Sequence, residues 1–250
     1  MAIRGFCTSR IPIAAFLATA SLFAQDITGT ILIRKKLTRR SVTPSVSIYQ
    51  RGIAVAPGKN AGEDPLDFER ARVVVYLEGP GPSSPAAPKV EQPTIKQSGR
   101  RFLPDLLAVP IGSTVSFPNM DPIFHNVFSL SKAKAFDLGN YDKGDTRTVV
   151  FSKPGVVYVN CHLHPNMAAT IVVTPNQWYA RSDAAGAYRI PAVPAGEYTI
   201  VAWHKAAGFF RKPVTLEPGR NAVVDFFIPI GDDPQKPTVK GVPVSIAENR

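Results

Sequence analysis

The chain has 250 residues, room for one large domain or two modest ones. Hydrophobic residues make up 44% and charged residues 19%, the balance of a globular protein. The 24 prolines and 18 glycines exceed the roughly 12% of ordinary chains and suit many short strands joined by turns. No apolar run beyond the N-terminus approaches the roughly 18 residues of a membrane span. A helical bundle, a collagen and a polytopic membrane protein are thereby excluded.

The first 24 residues read as an export signal. Arg4 and Arg10 supply positive charge, Ile11–Phe23 carries none, and small residues offer cleavage near Ala24. Cys7 precedes the apolar stretch, so it is no lipid-modified residue following it. The expected location is periplasmic or secreted. Removing the segment takes the formal net charge from +10 to +8 and leaves Cys161 as the lone cysteine. An oxidising compartment favours paired thiols, so a single one asks for a reason: burial, a link between chains, or metal ligation.

Ile27–Ile33 predicts a strand, followed by the basic run Arg34–Arg40. Residues 41–69 have no period and many turn formers, which predicts a long loop. Val73-Val74-Val75 within Ala71–Leu77 marks a buried strand. Gly79–Pro88, with four prolines, reads as a linker. Strand composition then recurs at Ile95–Phe102, Leu106–Ile111, Thr114–Phe117 and His125–Leu130. Arg147–Phe151 and Val156–Cys161 are expected to form a hairpin around Lys153-Pro154-Gly155, with Ala169–Thr174 closing the block. Further on, Trp178–Ser182 and Ala187–Ile190 flank an Asp–Gly turn. Glu197–Trp203 follows, and Val214–Leu216 is expected to pair with Val223–Ile228. From residue 231 the chain reads as a loose tail. Short strands at this spacing without a helical period predict an all-β protein of sandwiches or barrels.

Four histidines exist: His125, His162, His164 and His204. Two lie within three residues of Cys161, in Cys161-His162-Leu163-His164-Pro165-Asn166-Met167. His125-Asn126 opens a strand of the same block. Two imidazoles, one thiolate and a thioether are the donors of a mononuclear blue-copper centre, with the methionine sulfur as the weak axial ligand. A loop closed by Val156–Cys161 and Ala169–Thr174 would hold three donors, with His125 supplying the fourth from a neighbouring strand. Singly, a buried cysteine or methionine is core filler; the joint pattern favours copper. Zinc is the rival, since cysteine with histidines suits a tetrahedral site and His162 could be recruited. If the chain stays extended at Cys161, however, the next side chain points to the opposite face. Met120 is the weaker alternative to Met167. A trinuclear cluster needs more histidines, and a binuclear electron-transfer centre a second cysteine.

Residues 93–175 resemble the cupredoxins, of the amicyanin and plastocyanin type. The likeness rests on the C-x-x-H-P-x-M loop, the strand Gly112–Phe117, the His-Asn-Val segment at 125–127 and the Pro154-Gly155-x-x-Tyr158 turn. It implies a Greek-key β-sandwich with one type 1 copper ion, His125, Cys161 and His164 as equatorial ligands and Met167 axial. It also implies that Asn126 ties the two ligand loops together, and that electrons pass through the edge of His164. The whole-chain arrangement resembles proteins labelled methylamine-utilization-like.

Residues 178–230 resemble the carboxypeptidase-regulatory-like, or transthyretin-like, β-sandwiches. The carrying segments are Ser182–Ile190 and Val193–Thr199. The two strands that normally precede that turn stand far upstream, at Ile27–Ile31 and Val73–Leu77. This predicts a discontinuous sandwich of residues 25–92 plus 176–230, with the cupredoxin inserted; three consecutive modules are the alternative. Neither part looks catalytic. His204 is given no role, and the basic run serves either an acidic partner or a strand edge. The expected function is a one-electron carrier, not an enzyme, whose partner is a protein such as a periplasmic c-type cytochrome. A copper storage or delivery protein, and a surface-binding sandwich with a structural metal, are the alternatives. Nucleic-acid binding is not expected, because aromatic residues do not interleave the basic ones.

Overall fold

The computed structural model describes residues 24–37, 64, 66–79 and 92–228. The export signal, most of the long loop, the proline linker and the tail lie outside the described residues. The described elements run β1 (Gln25–Ile33), α1 (Asp67–Arg70), β2 (Val73–Glu78), β3 (Lys96–Gln97), β4 (Phe102–Leu103), β5 (Leu106–Pro110) and β6 (Ser113–Pro118). Then come β7 (His125–Ser131), β8 (Lys134–Tyr141), β9 (Thr146–Phe151), β10 (Gly155–Asn160), β11 (Ala168–Thr174) and β12 (Tyr179–Arg181). The last are β13 (Ala187–Val193), β14 (Gly196–His204), β15 (Gly208–Leu216), β16 (Ala222–Val223) and β17 (Phe226–Ile228). Among the described residues the fold is all-β apart from the single turn of helix α1. Among the described residues no helix is long and apolar enough to cross a membrane.

The strands stack in four layers. A sheet ordered β5-β11-β10-β7-β8 faces the small ladders β6-β9 and β3-β4, and Val115, Phe117, Phe151, Val157, Val159 and Ile171 fill the space between. A second pair of layers, β12-β2-β14-β15 against β13-β1 with β16 and β17, encloses Ile27, Ile31, Val75, Leu77, Trp178 and Ile200. The two inner sheets then pack on each other through Val74, Tyr76, Leu106, Ala108, Val172, Val201 and Trp203. This accounts for the sequence of β2 and β11. Both lie between two cores, so residues on both faces are buried and mostly apolar, and the runs read as continuous rather than alternating. By contrast β15, at a sheet edge, alternates and carries Arg211, Lys212 and Pro213, residues that discourage a further strand from adding.

Several expectations need correction. The hairpin around Pro154 does not form: β9 pairs with β6, whereas β10 pairs with β11 and β7. Gly155 has φ +141°, and at that point the chain leaves one layer for the other. The strand β15 pairs with β14 rather than with residues 223–228, and β16 and β17 run parallel to β1. Ile95–Phe102 is broken by a tight turn into β3 and β4. The Asp183–Gly186 turn is closed as expected, by Gly186 N–H donating to the Asp183 carbonyl at 3.0 Å, but its flanking strands join different sheets. The segment that forms β8 has no strand pattern in its sequence, and α1 lies at the end of a stretch whose composition reads as a loop.

Candidate metal centre

The centre is built where β7 begins and β10 ends. Asn160 of β10 is in register with Phe128 of β7, which brings Cys161, the next residue, beside the start of β7 and His125. The connection from β10 to β11 is pinned at both ends. Cys161 N–H donates to the Met167 carbonyl at 3.2 Å, and Met167 N–H to the His164 carbonyl at 2.9 Å. The loop therefore turns back on itself and presents His164 to the same point as Cys161.

Three of the four expected donors converge. His125 Nδ1 and His164 Nδ1 are 3.2 Å apart, and Cys161 Sγ lies 4.0 Å from the first and 3.7 Å from the second. These atoms form the only group of three or more His, Cys, Asp or Glu donors with metal-binding spacing among the described residues. Taking about 2.0–2.1 Å from metal to nitrogen and about 2.3 Å to sulfur, a point in the plane of this triangle reaches all three donors. The residues present thus fit a mononuclear metal, and a soft thiolate with two imidazoles suits copper or zinc. His125 and Cys161 are buried; His164 is partly exposed.

The fourth expected donor, Met167, is 1% exposed and belongs to the same core cluster as Cys161. Met120 is 50% exposed. His162 turns away from the triangle: its ring stacks on Phe128 with centroids 3.6 Å apart, and Nε2 lies 3.7 Å from Asp137 Oδ2. Asn126 connects the two ligand segments. Its backbone N–H donates to Cys161 Sγ at 3.4 Å, its side-chain oxygen accepts from His162 N–H at 3.5 Å, and its side-chain nitrogen donates to Asp137 at 2.7 Å. His204 lies apart from the centre, buried against Glu69 at 3.1 Å.

Asp121 was not singled out in the sequence. Its Oδ2 lies 2.8 Å from His125 Nε2, and its two oxygens accept the N–H groups of Gly99 at 2.7 Å and Arg100 at 2.9 Å. The carboxylate draws the proton of neutral His125 to Nε2, leaving a bare lone pair on Nδ1 toward the triangle. Burial works to raise the pKa of Asp121, but the hydrogen bonds from Arg100, His125 and Gly99 outweigh it and hold the carboxyl below its ordinary 3.8. The pKa of His164 is lowered by burial first, then by the neighbouring His125 and the charge of Arg100. The only sequence signal for Asp121 is its place four residues before His125, where an aspartate beside a proline reads as a turn former.

No protein-family model and no curated protein matches the chain. Among solved structures, a Cu(I) point mutant of amicyanin is 20% identical over 40% of this chain and 97% of its own, at a TM-score of 0.32. A copper-containing nitrite reductase from Thermus scotoductus is 27% identical over 37% of this chain, at 0.32, and this chain spans only 25% of its length. A purple cupredoxin from Nitrosopumilus maritimus is 26% identical over 32% of this chain and 98% of its own, at 0.30.

Proposed function

We propose that the protein is an exported type 1 copper protein that carries single electrons, and that His125, Cys161 and His164, with Met167 as the fourth donor, would hold the ion. The observation that carries this reading is the triangle of two ring nitrogens and one sulfur, 3.2 to 4.0 Å on a side, drawn from segments 36 residues apart. Copper bound there supplies a Cu(I)/Cu(II) couple, with soft donors favouring the reduced ion and imidazoles retaining the oxidised one. The protein's part is to hold the donors. Asp121 orients His125, Asn126 N–H stabilises negative charge on Cys161 Sγ, and the pinned loop fixes His164. A site prearranged in this way changes little when an electron arrives, which speeds transfer.

The burial pattern supports a carrier rather than an enzyme. With His125 and Cys161 enclosed and His164 partly exposed, the edge of His164 is the route to a partner, for which a periplasmic c-type cytochrome has suitable chemistry. The strands flanking the copper block serve as a transthyretin-like spacer.

Addition of Cu(II) to the purified apoprotein, followed by visible absorption and paramagnetic resonance, tests this. An intense sulfur-to-copper band is expected, lost in Cys161→Ser. A wild type that stays colourless under oxidising conditions overturns the copper-carrier reading. Stoichiometric zinc in protein purified from cells would point to a structural metal.

A further inference from the structure

The turn between β3 and β4 contains a residue that its backbone does not favour. Ser98 and Arg101 exchange both N–H···O bonds, at 2.9 and 3.2 Å, around Gly99 at φ +61° and Arg100 at φ +57°. A two-residue hairpin with positive φ at both central positions selects glycine and asparagine, because a Cβ crowds the backbone there. The task this turn performs for the centre uses main chain only. The Gly99 and Arg100 N–H groups donate to Asp121, whose Oδ2 also holds His125. Glycine or asparagine would do that equally well, so the arginine side chain is not explained by the turn.

Its placement suggests what it is for. The main chain of Arg100 is two hydrogen bonds from the His125 ring, whose Nδ1 stands 3.2 Å from that of His164, and the Arg100 charge helps to lower the pKa of that partly exposed histidine. Arg100 and Arg101 are both exposed, and neither guanidinium has a carboxylate partner among the described residues. The nearby acidic groups are committed elsewhere: Asp121 to His125 and two amides, Asp137 to Asn126, Gly139 and His162. Positive charge therefore faces solvent unneutralised beside the route by which electrons enter.

We propose that Arg100, with Arg101 beside it, is an anion-recruiting rim that draws the acidic surface of an electron-transfer protein onto the His164 edge. This rests on the copper reading above. One electron leaves the reduced partner and is taken up at the centre; no atom or proton is exchanged.

The test uses the copper-loaded full-length mature chain and two small redox probes of opposite charge, hexacyanoferrate and a tris-phenanthroline cobalt cation, in stopped-flow mixing. Arg100→Asn removes the charge while suiting the turn. At low ionic strength it is expected to cut the rate with the anionic probe relative to the cationic one by roughly three- to tenfold, with a thermal midpoint equal to or above wild type. Taking the ratio cancels any change in driving force. Arg100→Lys is expected to retain the ratio, and salt near 1 M, where screening acts within about 3 Å, to abolish the difference. An active wild type whose ratio is unmoved by Arg100→Asn overturns this inference alone. A wild type inert to both probes removes the centre and this inference together.

Discussion

His125 can aim a lone pair at the triangle because its other nitrogen is committed to Asp121. The same carboxylate is fixed by two main-chain amides, so the ring is oriented by a group that is itself immobile. Asp121→Asn keeps the shape and an accepting oxygen but removes the charge. It is expected to weaken copper binding by roughly 10- to 100-fold while keeping the sulfur-to-copper band, because Cys161 is untouched. Competition against a chelator measures the affinity, and an unchanged value would show that the ring needs no carboxylate. The three donors were legible because histidine and cysteine are scarce in this chain and their chemistry shows in their identity. Asp121 and Arg100 were not, since aspartate and arginine in turns are common, and only the fold shows what they face.

At the scale of elements, strand existence was more legible than strand partnership. The segments at 106–110, 125–131, 155–160 and 168–174 follow from composition. The partner of each strand is decided elsewhere in the chain, and local turn chemistry misleads. Lys153-Pro154-Gly155 has the residues of a hairpin turn, yet β9 and β10 enter different layers. What makes the transfer feasible is Gly155 at φ +141°, where an added Cβ would sit 2.9 Å from that of Ala133. Gly155→Ala is therefore expected to destabilise the protein by about 1–3 kcal/mol, through backbone strain and this clash together. Urea unfolding reads it as a lower midpoint at constant slope. A midpoint equal to wild type would mean that the crossing tolerates an ordinary backbone. The strand β8 escaped detection for a related reason: with Asp137, Gly139 and Asn140 it has poor strand composition, and only its pairing with β7 makes it one.

At the scale of the molecule, the ends of the described chain come together. The strand β1 pairs with β13, and β2 with β12 and β14, so segments far apart in sequence share one core. Arg72 binds Asp105 across the two inner sheets with both oxygens at 2.9 Å. Near this junction Glu69 of α1 and His204 at the end of β14 form a fully enclosed pair. His204 Nε2 is 3.1 Å from Glu69 Oε2, off the N–H axis, while Glu69 Oε1 accepts from Leu37 N–H. The pair thus joins backbone after β1, the helix and the second core. His204 Nδ1 accepts from Ala206 N–H at 3.2 Å, which fixes a neutral ring protonated on Nε2. Burial lowers its pKa below the ordinary 6.5, with the charge of Arg72 adding to this and Glu69 opposing it. The sign of the resulting pH dependence follows directly. Below pH 6.5 the unfolded chain takes up a proton that the folded one refuses, so stability is present above that pH and is lost as pH falls toward the lowered folded value. The slope from one such group is at most about 1.4 kcal/mol per pH unit. His204→Gln places an N–H group near Glu69 and an oxygen that can accept from Ala206 N–H, but cannot titrate. Unfolding midpoints of the apoprotein between pH 7.5 and 5 are therefore expected to fall less steeply in His204→Gln than in wild type. His164 titrates with the same sign in both proteins, so its contribution cancels in the difference. Parallel curves would show that the enclosed imidazole gains its proton as readily in the folded protein as in the unfolded one.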